Sequence, residues 1–140
     1  ETYYLMGEAC EKMGESDEAK EYYKKAVAAK RPGKWSRLGY YLALAQQKLG
    51  RQDEANKIFE GLISRGESRL ERTSGMDFFA KFGKQKARDV QKAEARFQMG
   101  LGYFGQGNLE KAAEQFQEAV ELDADQVWAA AFLAKCEQAQ

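Results

Sequence analysis

The sequence predicts an all-α protein assembled from repeated helix pairs, and three observations carry that prediction. The first is composition. Val, Ile and Thr together supply eight of 140 residues, whereas Ala alone supplies 21. Strands favour β-branched side chains, while helices favour Ala, Glu, Lys, Gln and Leu, so a sheet protein is all but excluded. The second is a recurring segment: Gly14-Glu-Ser-Asp-Glu-Ala19, Gly50-Arg-Gln-Asp-Glu-Ala55 and Gly107-Asn-Leu-Glu-Lys-Ala112. The third is the apolar pattern around each copy. Four residues after the Ala stands Tyr23, Phe59 or Phe116, and three further stands Ala26, Leu62 or Ala119. These positions share one helical face. The length is that of one domain with a core of its own.

The elements follow in chain order. A first pair is expected over about 2–13 and 17–30. Gly14 between them accepts the left-handed conformation that ends a helix. The acidic residues after it suit the positive end of the next helix, and Ala19 lets the two antiparallel helices approach. Met6-Gly7 sets a large residue beside a small one, the mark of a close crossing. Arg31-Pro32-Gly33-Lys34 then interrupts the chain. A second pair is expected over about 35–49 and 53–65, with Leu42-Ala43 at the crossing, and a third over about 86–105 and 109–122, with Met99-Gly100. Asp123 or Asp125 is expected to cap a last helix to about residue 138, carrying Val127, Trp128, Phe132 and Leu133-Ala134. That helix lacks its own partner and is expected to cover the third pair. Trp128 is expected in the seal; alternatively it marks where more chain or a partner stacks.

Agreement at these positions in three copies resembles the tetratricopeptide repeat, a helix–turn–helix unit with a 34-residue period. The third copy carries the resemblance best, in Met99-Gly100, Tyr103, Gly107, Ala112, Phe116 and Ala119. The first follows with Tyr3, Met6-Gly7, Cys10, Gly14, Ala19, Tyr23 and Ala26. The family's early Trp is replaced by Tyr3, Gly39 and Arg96, and its Pro occurs once, as Pro32, one residue late. The resemblance implies a right-handed α-α superhelix in a single domain: repeat 1 over about 1–33, repeat 2 over about 34–65, an insertion over about 66–86, repeat 3 over about 87–124 and a capping helix over about 125–139. It also implies a concave groove on the first helix of each pair. The groove positions are Tyr4 and Glu8, then Arg37, Tyr40, Tyr41 and Leu44, then Phe97, Gln98, Leu101 and Phe104. Some members grip a peptide carboxylate there with Lys, Asn and Arg. The matching places here hold Tyr4, Glu8, Tyr41, Glu94 and Gln98, so the groove is aromatic and apolar rather than a carboxylate clamp.

The signature Gly residues are 36 apart between the first two copies and 57 apart between the second and third. The excess falls where Ser74-Gly75 and Gly83 flank Met76-Asp-Phe-Phe-Ala-Lys-Phe82. Burying Phe78, Phe79 and Phe82 would contribute about 1.5–3 kcal/mol each. Three readings stand: the insertion fills the groove in cis, docks on another copy or a neighbouring domain, or is a loop that binds a partner. Asp77-Phe78-Phe79 before a helix ending Met99-Gly-Leu-Gly-Tyr103 also resembles large bacterial proteins whose C-terminal repeats are split by such a stretch. That resemblance implies a C-terminal piece of a longer chain whose activity lies elsewhere.

Composition narrows the chemistry. Without His there is no imidazole base, ligand or pH switch. Cys10 and Cys136 read as buried small side chains, with a disulfide or reactive thiol as alternatives. Gly100-Leu-Gly102 lacks the Lys-Ser/Thr of a phosphate loop. Asp17-Glu18 and Asp53-Glu54 read as helix starts, and Asp77, Glu67 and Glu71 with Lys81, Lys84 and Lys86 as a solvated segment, so no catalytic residue, cofactor or metal is expected. Lys81, Lys84, Lys86, Arg88 and Lys92 form a basic run interleaved with Phe79 and Phe82, and cations beside stacking aromatics are how single-stranded nucleic acid is held, but Asp89 interrupts the run and a charged outer helix face is the favoured reading. Net charge is zero, yet 66–96 carries eight basic against five acidic residues and 108–140 two against seven. Such polarity can orient a partner or a second copy of the chain. No apolar window is long enough to cross a membrane. The expected function is a non-catalytic scaffold within a larger protein, binding an apolar or mixed segment of a protein, a peptide or another domain of the parent chain through the groove and the Phe-rich insertion, with homo-oligomerisation as the alternative and single-stranded nucleic-acid binding by the basic 81–92 run as a weaker one.

Overall fold

The computed structural model describes residues 1–29, 36–74 and 82–139, with backbone alone at Ser36, Ser74 and 82–84. Among the described residues there are seven helices: α1 (Thr2–Lys12), α2 (Ser16–Ala28), α3 (Ser36–Lys48), α4 (Gln52–Ser74), α5 (Phe82–Gly105), α6 (Leu109–Leu122) and α7 (Val127–Gln138). The all-α helical-repeat expectation holds. The three signature glycines adopt φ of +82°, +75° and +79°. Each closes the same double turn. The Gly14 N–H donates to the Glu11 carbonyl at 3.0 Å and the Glu15 N–H to Cys10 at 2.9 Å. Gly50–Gln47 and Arg51–Gln46 repeat the pattern, as do Gly107–Phe104 and Asn108–Tyr103. These bonds satisfy carbonyls that a helix end leaves unpaired.

The helices form two compact units, Glu1–Glu60 and Gly61–Gln140, and α4 runs without a break through the point where they divide. The first unit is built on Tyr4, Cys10, Ala19, Tyr23 and Ala45, with Tyr22, Ala26, Val27, Tyr41, Leu44 and Leu49 packed around them. Gly7 is there for closeness: a Cβ would lie 2.5 Å from the Tyr23 ring. The second unit gathers four phenylalanines. Phe116 lies 6.0 Å from Phe97 and 5.5 Å from Phe132, and Phe104 meets Phe132 edge-on at 5.5 Å. At Gly100 a Cβ would stand 2.4 Å from the Phe116 ring, so the two glycines do the same work in the first and third copies.

Three expectations are corrected. Helix α4 does not stop near 65 but continues to Ser74, and α5 begins at Phe82, so much of the expected insertion is helical extension. Gly66, where the insertion was expected to begin, is buried inside α4, where a Cβ would lie 2.4 Å from Met99 Cγ. Neither Asp123 nor Asp125 caps α7. Its cap is Gln126, without a side-chain bond, while Asp123 Oδ1 accepts from the Asp125 N–H at 3.2 Å. Trp128 is 46% exposed, and the seal is made by Ala129, Phe132 and Cys136. In a helix apolar on all sides, periodicity does not say which side meets the core. Pro32 and its neighbours lie outside the described residues, as do Phe78 and Phe79.

Candidate partner-binding face

In the first unit α1 and α3 present matching faces. Residues 1, 4, 8 and 11 line one and residues 37, 41, 44 and 48 the other, both at helical spacing. They pair rung by rung. Arg37 Nε donates to Glu1 Oε2 at 3.1 Å. The Tyr4 and Tyr41 rings stand 5.5 Å apart. Lys48 Nζ donates to Glu11 Oε2, which holds the Glu11 carboxyl below its ordinary range. On the remaining rung the register sets Leu44 against Glu8. The Glu8 carboxylate instead accepts the Tyr4 hydroxyl at 3.0 Å.

Tyrosines continue the face inward. Tyr4 lies 5.6 Å from Tyr23, Tyr41 lies 5.5 Å from Tyr40, and Tyr40 lies 6.2 Å from Phe59. Burial pushes the Tyr4 phenol far above its ordinary range, and Glu8 adds to the shift. Tyr23 behaves likewise, by burial and then Glu11. Its hydroxyl is buried with no partner in hydrogen-bond geometry, although Glu11 faces it. Tyr41 is raised by burial and next by Glu1.

The expected groove residues therefore part into two groups. Tyr4, Tyr40, Phe97, Gln98 and Leu101 are buried, whereas Glu8, Arg37, Tyr41, Leu44 and Phe104 keep part of their surface. Gln98 donates its amide to the Leu62 carbonyl at 3.2 Å, so it ties α5 to α4. Phe97 and Phe104 are engaged by Phe132 of α7, which takes up that part of the α5 face. Of Phe78, Phe79 and Phe82, the first two lie outside the described residues and the third is described in backbone alone.

Two arrangements escaped the sequence reading. The turn at Gly14 folds Glu15 back on Cys10, so the Cys10 thiol and the Glu15 and Glu18 carboxylates lie within 4.8 Å of one another. A Cys, four residues, a Glu, two residues and a second Glu around a helix-ending Gly was the available signal. Burial and these two carboxylates raise the Cys10 thiol. In the second unit Leu70, Lys92, Arg96, Glu118, Glu121 and Leu122 line an open cleft of about 340 Å³. Arg96 spans its wall, bonding Gln115 at 2.9 Å and Glu118 at 2.7 Å, with its Nε buried and unpaired.

Comparison with known families fits this geometry. Three profiles described as tetratricopeptide repeat match residues 1–32, 38–65 and 93–125. The chain belongs to the tetratricopeptide repeat family. The matched segments are the three helix pairs, and between the second and third matches α4 runs on to Ser74 and α5 starts as early as Phe82. No curated protein matches the chain. Tetratricopeptide repeats generally mediate protein–protein interaction and scaffolding, and the family is typically non-catalytic. Among the described residues no helix is long and apolar enough to cross a membrane.

Proposed function

We propose that this chain is a non-catalytic interaction scaffold that receives an apolar or mixed peptide segment on the α1–α3 face. The segment would come from another protein or from another domain of the parent chain. One observation carries the reading. Tyr41 and Leu44 keep part of their surface beside a buried tyrosine floor of Tyr4 and Tyr40. Rigid rings supply contact area at low entropic cost, and apolar side chains of a guest would displace water from this strip.

The test is an amide-shift titration with a pool of acetylated, amidated pentapeptides. The four outer positions hold Ala, Leu or Phe and the centre holds norleucine. Shifts at Glu8, Arg37, Tyr41 and Leu44 are expected. No shift anywhere, or shifts confined to α6 and α7, would overturn the reading. Self-association is a second reading, favoured by the outward side of α7, where Val127 is 70% exposed and Trp128 is exposed beside Ala131 and Ala134. A mass that rises with concentration and falls for Trp128→Ser would support it.

A further inference from the structure

We propose that Glu8 is the receptor for a cationic side chain, Arg or Lys, of the segment bound on the α1–α3 face. The inference rests on the reading above and adds the chemistry of the partner. Its warrant is the ladder between the two helices. At the first and last rungs a carboxylate on the α1 side meets a cation of α3, N-cap Glu1 with Arg37 and Glu11 with Lys48. The second rung pairs two rings, Tyr4 and Tyr41. On the third the register sets Glu8 against Leu44, which cannot neutralise it. Among the described residues Glu8 enters no ion pair, and its carboxylate has one hydrogen-bond partner, the Tyr4 hydroxyl on Oε1. The ladder thus lacks a cation at one rung, and that rung is partly exposed.

The surroundings fit the missing group in three parts. The Glu8 Oε2 oxygen can accept a charge-assisted bond. The part-exposed Tyr41 is of the ring type that holds a cation, a contact this chain already uses where Lys111 stands 5.5 Å from the Tyr103 ring and Lys25 stands 4.9 Å from Tyr22. Leu44 offers an apolar rest for the methylene stem of Arg or Lys. Tyr4, 5% exposed, fixes the carboxylate. The Tyr4 phenol is protonated at neutral pH and so remains a donor to this carboxylate.

The experiment repeats the pentapeptide titration with Arg in place of the central norleucine. The Arg pool is expected to bind about tenfold more tightly than the norleucine pool, with the largest shifts at Glu8, Tyr41 and Leu44. The preference should shrink in high salt. Glu8→Gln keeps an acceptor for Tyr4 and should erase the preference while norleucine binding persists. Leu44→Arg supplies the cation in cis and should block the Arg pool, a second variant should Glu8→Gln disturb the fold. Equal affinity for the two pools would overturn this inference and leave the scaffold reading standing. Binding of neither pool would overturn both. An Arg preference that survives both substitutions would place the cation site elsewhere and overturn the assignment to Glu8.

Discussion

The first and third repeats share a frame and differ in what fills it. Gly7 and Gly100 occupy the same crossing, Gly14 and Gly107 the same turn, and Ala19 and Ala112 the same buried step. At the position after that frame the first repeat has Tyr23 and the third has Phe116, each with almost no exposure. Around Phe116 gather Phe97, Phe104 and Phe132, with no hydroxyl among them. Around Tyr23 gather Tyr4 and, beyond it, Tyr41, with Glu8 and Glu11 facing the phenols. The third repeat is closed by α7. The first keeps polar atoms beneath the α1–α3 face, where Glu8, Tyr41 and Leu44 keep part of their surface. The same backbone thus supports a sealed core in one copy and a surface with chemistry in the other. The difference is made by hydroxyl groups rather than by shape.

The largest test of this contrast removes a ring. Phe116→Ala should cost about 3–5 kcal/mol, because three other phenylalanines lose a common neighbour. Urea unfolding followed by circular dichroism would measure it. Next come the close crossings. Gly7→Ala and Gly100→Ala should each cost about 1–3 kcal/mol, since the added carbon meets a fixed ring in both. A large difference between the two would break the claim of a shared frame.

Alkali should separate the units. Tyr4, Tyr23 and Tyr41 lie above the ordinary tyrosine value of 10.0 when folded. Between pH 10 and the folded values, unfolding releases their protons. The stabilisation is therefore complete below about pH 10 and is lost as pH rises further. One pH unit higher the loss is about 1 kcal/mol per buried tyrosine, and less for the part-exposed Tyr41. Alanine methyl signals should show Ala19 and Ala45 losing native shifts before Ala112 and Ala119. Simultaneous loss, or the reverse order, would remove the contrast. The smallest expected effect is Tyr23→Phe. Deleting a buried hydroxyl with no partner in hydrogen-bond geometry should leave stability unchanged or raise it by less than about 1 kcal/mol. A loss of about 2 kcal/mol or more would mean that Glu11 holds this hydroxyl firmly.

Much of the frame was legible because it is local. A Gly at the end of a helix, an Ala one turn into the next and an aromatic four residues later are constraints within one helix pair, and they recur. What stayed hidden depends on which neighbour lies across. Gly66 stands where the insertion was expected to begin, yet its missing side chain serves contact with Met99 from another helix. Trp128 and Phe132 are equally apolar in sequence, and only packing shows that Phe132 faces inward. Tyr4 and Glu8 were both expected on the groove, but burial makes Tyr4 the support and leaves Glu8 the part that can be reached. The pairing of Glu1 with Arg37 and Glu11 with Lys48 was invisible for the same reason, since it depends on the register between two separate helices.

The unbroken course of α4 has a practical meaning for anyone wishing to dissect the chain. The border between the two units falls at Glu60 and Gly61, inside a helix. A cut there would strand four carbonyls on one fragment and four N–H groups on the other. At Gly50 and Gly107 the helices have already ended, so scission just after either severs the turn's own closing bonds but no helical ladder. The seams along which this molecule can be divided are its glycine turns, and they do not coincide with the border of its packing.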